Sequence, residues 1–259
     1  MSAATLDHTW YMSQRHLRAL VRQPAYIGIT IVQPIVWLLL FGSLFRKVVE
    51  IPGFGAGSYI EFLTPGVIVM SALFSNGWSG MTIIEDIDAG IMDRFLVTPV
   101  SRVAIMNGLL VQQAVVDVVQ ALVMVALAWT MGARFDGGAA GVGVTIGAAI
   151  LLGLSFSSFS NALAPLMRTR ESVIGVVQFV TLPATFLSGA VMDPNLAPGW
   201  IQAVARWNPV NWAVLAGREA LGDDPDWSFI GIRLGALLIL AIGCAVLSTL
   251  TFRAYQRSV

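Results

Sequence analysis

One of the chain's long apolar runs carries Gln113, Asp117 and Gln120 at spacings of four and three. That spacing puts all three on one face of a helix. An ionisable group inside a membrane span costs about 3 kcal/mol on insertion scales, so it faces a bundle interior or a wet cavity. Two readings fit the stripe. It lines a substrate path, or it serves as polar glue between helices. A second cluster lies between two apolar runs: Glu85, Asp86, Asp88 and Asp93, with Gly90 and Arg94 among them. Ile84, Ile87, Ile91 and Phe95 fall on one helical stripe, which predicts a short amphipathic helix ended by Thr98-Pro99. Its acids could pair with basic residues of a cytosolic partner while the apolar stripe seats in a groove. The alternative is a solvated loop whose acids keep it out of the membrane.

Other chemistry lacks its residues. No Gly-x-x-x-x-Gly-Lys-Ser/Thr phosphate loop occurs, so ATP is not bound in that way. The only histidines, His8 and His16, sit near the N-terminus, away from every apolar run, which excludes a metal-histidine or Ser-His site within the spans. Gly153-Leu-Ser-Phe-Ser157 lacks the second glycine of a nucleophile elbow, and its small residues suit close helix packing. Cys244 is the single cysteine and lies in an apolar run without ligand companions. No catalytic residue, metal site or cofactor is assigned to the chain.

The elements that position these residues follow from composition. Of 259 residues, 56% are hydrophobic and 12% charged, with zero net charge, and mean hydropathy is +0.77. Soluble domains carry about 25% charged residues; a chain this depleted cannot cover its surface in water, whereas lipid solvates apolar side chains. The charge balance gives no sign of a nucleic-acid partner. A span needs about 20 apolar residues, and in lipid such runs must be helical. Six are expected, at Ala25–Phe45, Tyr59–Ile84, Val103–Met131, Ala140–Met167, Ser172–Val191 and Phe229–Phe252. The predicted fold class is therefore an all-α membrane protein with one transmembrane domain over 1–259. Spans one to five occupy 25–191, an outer segment 192–228, span six 229–252 and a cytoplasmic tail 253–259. With both termini inside, nine Lys/Arg residues fall on the cytoplasmic side against six outside, the bias expected for that orientation.

Residues 1–24 form more than a tail. Leu6, Trp10, Ser13, Leu17, Leu20 and Val21 recur at spacings of three and four, with Arg15, Arg18 and Arg22 on the opposite face. That pattern describes an interfacial amphipathic helix touching membrane lipids, ended by Pro24; an amphipathic helix packed on the protein itself is the alternative. The segment lacks the apolar core and small-residue site of a cleavable signal. Residues 192–228 are too interrupted for a clean span and too apolar for a free loop, which predicts short re-entrant outer helices with Trp200, Trp207 and Trp212 at headgroup level. A seventh span there is the competing arrangement.

Three motifs then carry a resemblance. Phe62-Leu-Thr-Pro-Gly-Val67 opens the second span, Arg94-Phe-Leu-Val-Thr-Pro-Val-Ser-Arg102 follows it, and Asn208-Pro-Val-Asn-Trp212 with Arg218-Glu-Ala-Leu221 precedes the last span. Together, over nearly the whole chain, they resemble type-2 ABC exporter permeases, nearest the daunorubicin and multidrug-resistance branch. Asp93 stands where that family more often has Glu. The resemblance implies two permease subunits, as a homodimer or paired with a homologous permease, with two ABC ATPase subunits that hold the ATP and magnesium. It implies a coupling helix at 85–100, an interfacial elbow helix at the N-terminus and re-entrant helices at 194–221. The expected location is the bacterial inner membrane. The expected work is export of a hydrophobic or amphiphilic drug, antibiotic or lipid-linked molecule, with polysaccharide or lipo-oligosaccharide export as a variant. An ion-coupled secondary transporter using Asp117 is the rival class, although it normally shows inverted repeats.

Overall fold

The computed structural model describes residues 3–22, 24–50, 58–90, 102–167 and 169–256. Among these residues the regular structure is entirely helical. The helices are α1 (Ala3–Val21), α2 (Pro24–Leu44), α3 (Tyr59–Gly77), α4 (Ser79–Asp88), α5 (Arg102–Thr130), α6 (Gly138–Met167), α7 (Arg170–Phe186), α8 (Gly199–Trp207), α9 (Pro209–Leu221) and α10 (Trp227–Gln256), with 3₁₀ turns at Arg46–Glu50 and Pro194–Leu196. Four stretches are long and apolar enough to cross a membrane: Tyr59–Asp88, Asn107–Thr130, Gly138–Met167 and Trp227–Phe252. α2 contributes a shorter apolar helix, Gly28–Leu44.

The helix α3 is the hub. It is buried on nearly every side, from Phe62 through Leu73, and packs against α2, α5, α6, α7 and α9. α10 is its opposite. Leucine and isoleucine surround it, and Ile232, Leu238, Ile239, Ile242, Val246, Leu247 and Leu250 stay exposed along its length. A continuous apolar face of that size suits lipid rather than water. Several hydroxyls inside the bundle are satisfied locally. The hydroxyls of Thr64, Ser71, Thr145, Ser155 and Thr185 each donate to the carbonyl four residues back, the usual solution for Ser and Thr in apolar helices.

The stretch expected as one span at Tyr59–Ile84 breaks at Trp78 into α3 and α4. A break inside an apolar bundle frees backbone groups that need partners. Ser160 of α6 supplies both: its Oγ donates to Gly77 O at 2.6 Å and accepts from Gly80 N at 3.0 Å. A Cβ on Gly80 would collide with the Ser160 carbonyl, so the contact needs glycine there.

Two further departures concern the ends. The run expected as a span over Ser172–Val191 is helical only to Phe186, and Leu187 begins a turn. The segment over 192–228 contains α8 and α9, of nine and 13 residues, separated at Asn208-Pro209. Neither is long enough to cross a bilayer alone, which removes a continuous seventh span. Trp200 and Trp207 are exposed, whereas Trp212 is partly covered and donates from Nε1 to Arg206 O at 2.7 Å.

Candidate functional site

The polar stripe of α5 is buried: Gln113, Asp117 and Gln120 are 7%, 2% and 4% exposed. Its three members have separate fates. Asp117 meets Asn76 of α3, whose Nδ2 lies 2.9 and 3.0 Å from the two carboxyl oxygens. Asn76 also donates to Ala72 O at 2.8 Å. Gly153 of α6 closes over the pair, and a Cβ there would press on both side chains. Gln120 turns to α2, with Nε2 donating to Thr30 O at 3.0 Å. Gln113 Oε1 is buried without a hydrogen-bond partner. Of the three, Gln120 borders an apolar cleft of about 350 Å³ between α2 and α3. The sequence reading missed Asn76, because an asparagine among small residues gives no signal until α3 is set against α5.

The acids after α3 lie at the end of α4. Glu85 and Asp88 flank Arg170 of α7 at 3.3 and 3.7 Å, and Asp86 reaches Arg15 of α1 at 3.6 Å. Gly90 follows with φ +64°, a left-handed conformation that glycine adopts without strain. Ile83 and Ile84 are buried beneath the acids, with Ile87 packed beside them. Asp93, Arg94 and Phe95 lie outside the described residues. Exposed ion pairs of this kind contribute about 0–1 kcal/mol, so they are readily exchanged for other partners.

The helix α1 crosses α5 where Met12 covers Gly108. Trp10, Arg15, Arg18, Arg22 and Val21 are exposed, while Ser13, His16 and Leu20 are buried. The helix therefore rests on the protein through a narrow face and leaves Trp10, Arg18 and Arg22 outward, while Arg15 reaches Asp86. Burial, reinforced by the neighbouring charge of Arg15, pushes the His16 imidazole down to about 4, and its Nε2 has no hydrogen-bond partner. A lowered value means the neutral form is the one that packs. The associated stability is full above the unfolded value near 6.5 and is lost as pH falls toward 4. The melting temperature should therefore drop more steeply from pH 7 to 5 in the wild type than in His16→Phe, a difference worth about 2 kcal/mol. Parallel pH profiles would contradict it.

A dense knot joins residues of the first and last of the three motifs around the turn after α7. Arg218 of α9 sends Nη2 to Gly189 O at 2.8 Å and Phe62 O at 3.1 Å, with its guanidinium 3.5 Å from the Phe62 ring centre. Gly66 abuts Ala190 so closely that a Cβ would strike its carbonyl. Asn208 donates to Ala184 O and Leu187 O at 2.6 and 2.9 Å, and its Oδ1 caps α9 through Val210 N. Asn211 accepts from Gly189 N at 2.9 Å and donates to Ala205 O at 3.0 Å. Asn208, Asn211 and Arg218 thus satisfy the backbone of a turn inside an apolar protein, and Gly66 leaves room for it.

These long apolar helices, with a polar stripe sealed among them, define a multi-pass helical membrane protein. The chain belongs to the ABC-2 type transporter family, whose pattern matches residues 7–221. It is 31% identical to the daunorubicin resistance ABC transporter permease protein DrrB1 of Streptomyces coeruleorubidus, over 98% of this chain and 86% of that one. It is 27% identical to the putative transport permease ycf38 of Cyanophora paradoxa, over 98% and 90% respectively. With the probable multidrug ABC transporter permease YbhR of Escherichia coli K12 the identity is 24%, over 78% of this chain and 54% of that one.

Proposed function

We propose that this chain is the permease subunit of an ATP-driven exporter that moves a hydrophobic or amphiphilic molecule outward across the bacterial inner membrane. Two separate ATPase subunits carry ATP and magnesium, and a second permease, identical or homologous, completes the assembly. In this reading the bundle spans six times, α2 and α7 being the two short spans, and both termini are cytoplasmic. α8 and α9 form the outer re-entrant segment near the exit. α1 is the interfacial elbow, with Trp10 toward lipid and Arg15, Arg18 and Arg22 toward phosphates. Residues 85–100, with Glu85, Asp86, Asp88, Gly90, Asp93, Arg94 and Phe95, seat on the ATPase. ATP-driven closure of the partner pair moves that segment and the spans packed on it as units. Gln113, Asp117 and Gln120 lie along the route, and no residue of this chain performs covalent chemistry.

The observation that most supports this is the exposed acidic end of α4. Glu85 and Asp88 are over half exposed, at 53% and 59%, and share one arginine. They keep free acceptor capacity for a basic partner. Reversing Asp86 and Asp88 to arginine should weaken capture of a co-expressed ATPase at least tenfold while membrane levels of the chain hold. Arg15→Gln breaks the Asp86 pair from the other side and should leave capture intact. Unchanged co-purification of the reversal variant would remove this segment as the docking site.

A further inference from the structure

The cleft between α2 and α3 has walls of Trp37, Met70, Phe74 and Trp78, and α5 contributes Gln120 to it. Trp37 is already stacked on Phe41, centroids 4.8 Å apart, which holds its ring flat. Thr30, Gln33, Ser71, Ser75 and Gln120 are the polar residues of an otherwise apolar lining, and of these Ser75 and Gln120 are the most buried, at 8% and 4% exposure. Neither Ser75 Oγ nor Gln120 Oε1 has a hydrogen-bond partner. Ser71, which also lines the cleft, is satisfied by Val67 O at 2.6 Å. The Gln120 amide cannot turn to hide its oxygen, because Nε2 is engaged by Thr30 O; Oε1 therefore remains an acceptor that needs a donor. Buried polar atoms left unpaired in a native structure are costly and call for a partner. Gln120 also borders a hollow of about 50 Å³ beside Leu20, but Ser75 borders only the larger space among the cavities described. Among the described residues, no Lys, Arg, Asp or Glu lines the cleft.

We propose that this cleft is a binding site for an amphiphile with a flat apolar body and an uncharged buried end, whose hydroxyl or N–H donates to Gln120 Oε1 and meets Ser75 Oγ. Its volume of about 350 Å³ lies at the small end of drug-sized sites, roughly 300–1,000 Å³. Aromatic walls favour flat faces, and the absence of lining charge disfavours an ionic group inside. That the ligand is cargo rests on the exporter reading; that the site binds it does not.

The test uses the full chain in lipid nanodiscs with two probes that differ by one donor, pyrene and 1-hydroxypyrene. Saturable energy transfer from tryptophan is measured above that of empty discs. 1-Hydroxypyrene should bind about tenfold more tightly than pyrene, the effect of one well-placed hydrogen bond. Ser75→Ala should cut that preference about threefold, and Gln120→Leu should erase it. Met70→Trp, which fills the cleft, should abolish saturable binding of both. Thermal melting identifies any variant that fails to fold, and Ser75→Ala is the mildest. Equal affinities in the wild type, no saturable binding, or a preference that survives both polar substitutions would overturn the proposal and leave a groove for lipid chains. Because no ATPase is present, failure here leaves the exporter reading standing, and failure of ATPase capture leaves this site standing.

Discussion

Asn76→Leu is expected to lower the melting temperature by roughly 5–10 °C, the shift that 2–3 kcal/mol produces in a domain of this size. Leucine nearly matches asparagine in shape, so the packing against Gly153 survives. What is lost is the donor facing both Asp117 oxygens, at 2.9 and 3.0 Å. The carboxyl is then stranded at 2% exposure. Removing one partner of a buried polar pair costs more than removing both. Asn76→Leu/Asp117→Leu should therefore recover most of the loss and return to within about 1 kcal/mol of wild type. Asp117→Asn, which keeps an acceptor opposite Asn76, should cost least. A double variant no more stable than Asn76→Leu would contradict the self-contained pair. The same series separates the two roles of the stripe. If Asp117 lies on the route, the stable double variant fails to export; if it only joins α3 to α5, export persists.

Arg218 is expected to carry an effect of comparable size. Arg218→Met keeps an apolar stem but deletes two hydrogen bonds to the Phe62 and Gly189 carbonyls and the contact on the Phe62 ring. The loss should be about 3 kcal/mol, the cost of leaving two carbonyls without their donor and of losing the ring contact. Arg218→Lys should fall between, because an ammonium lacks the planar fork that serves two acceptors and one ring together. Hydrogen exchange should show the opening confined first to the turn over 187–191 and the start of α9. Equal stability of Lys and Arg at this position would mean that the planar fork contributes nothing.

The contrast between these two sites explains what could be read from sequence. Asp117 was visible because a carboxylate in an apolar run violates the cost of burial, and its spacing from Gln113 and Gln120 gave a face. Its partner was not, because Asn76 lies 41 residues away and only packing of α3 on α5 joins them. Arg218 read as one more outer charge and as part of a family motif. Its true surroundings depend on α7 stopping at Phe186, an end that Pro183 and the Asn208 side chain set through backbone contacts rather than through hydropathy. Helix runs were legible because lipid demands length and apolarity. The break at Trp78 was not, because the group that permits it, Ser160, belongs to another helix. Glu85 and Asp88 of α4 are exposed and Asp86 is largely covered, and their intrachain partners Arg170 and Arg15 were invisible in a one-dimensional pattern.

The most direct test of the central claim compares proteoliposomes holding this chain alone with proteoliposomes holding it together with its ATPase, supplied with a panel of fluorescent amphiphiles. Uphill accumulation is expected only when the ATPase and hydrolysable ATP are both present, and should vanish with a non-hydrolysable analogue. Accumulation by this chain alone, driven by a proton or sodium gradient, would contradict it.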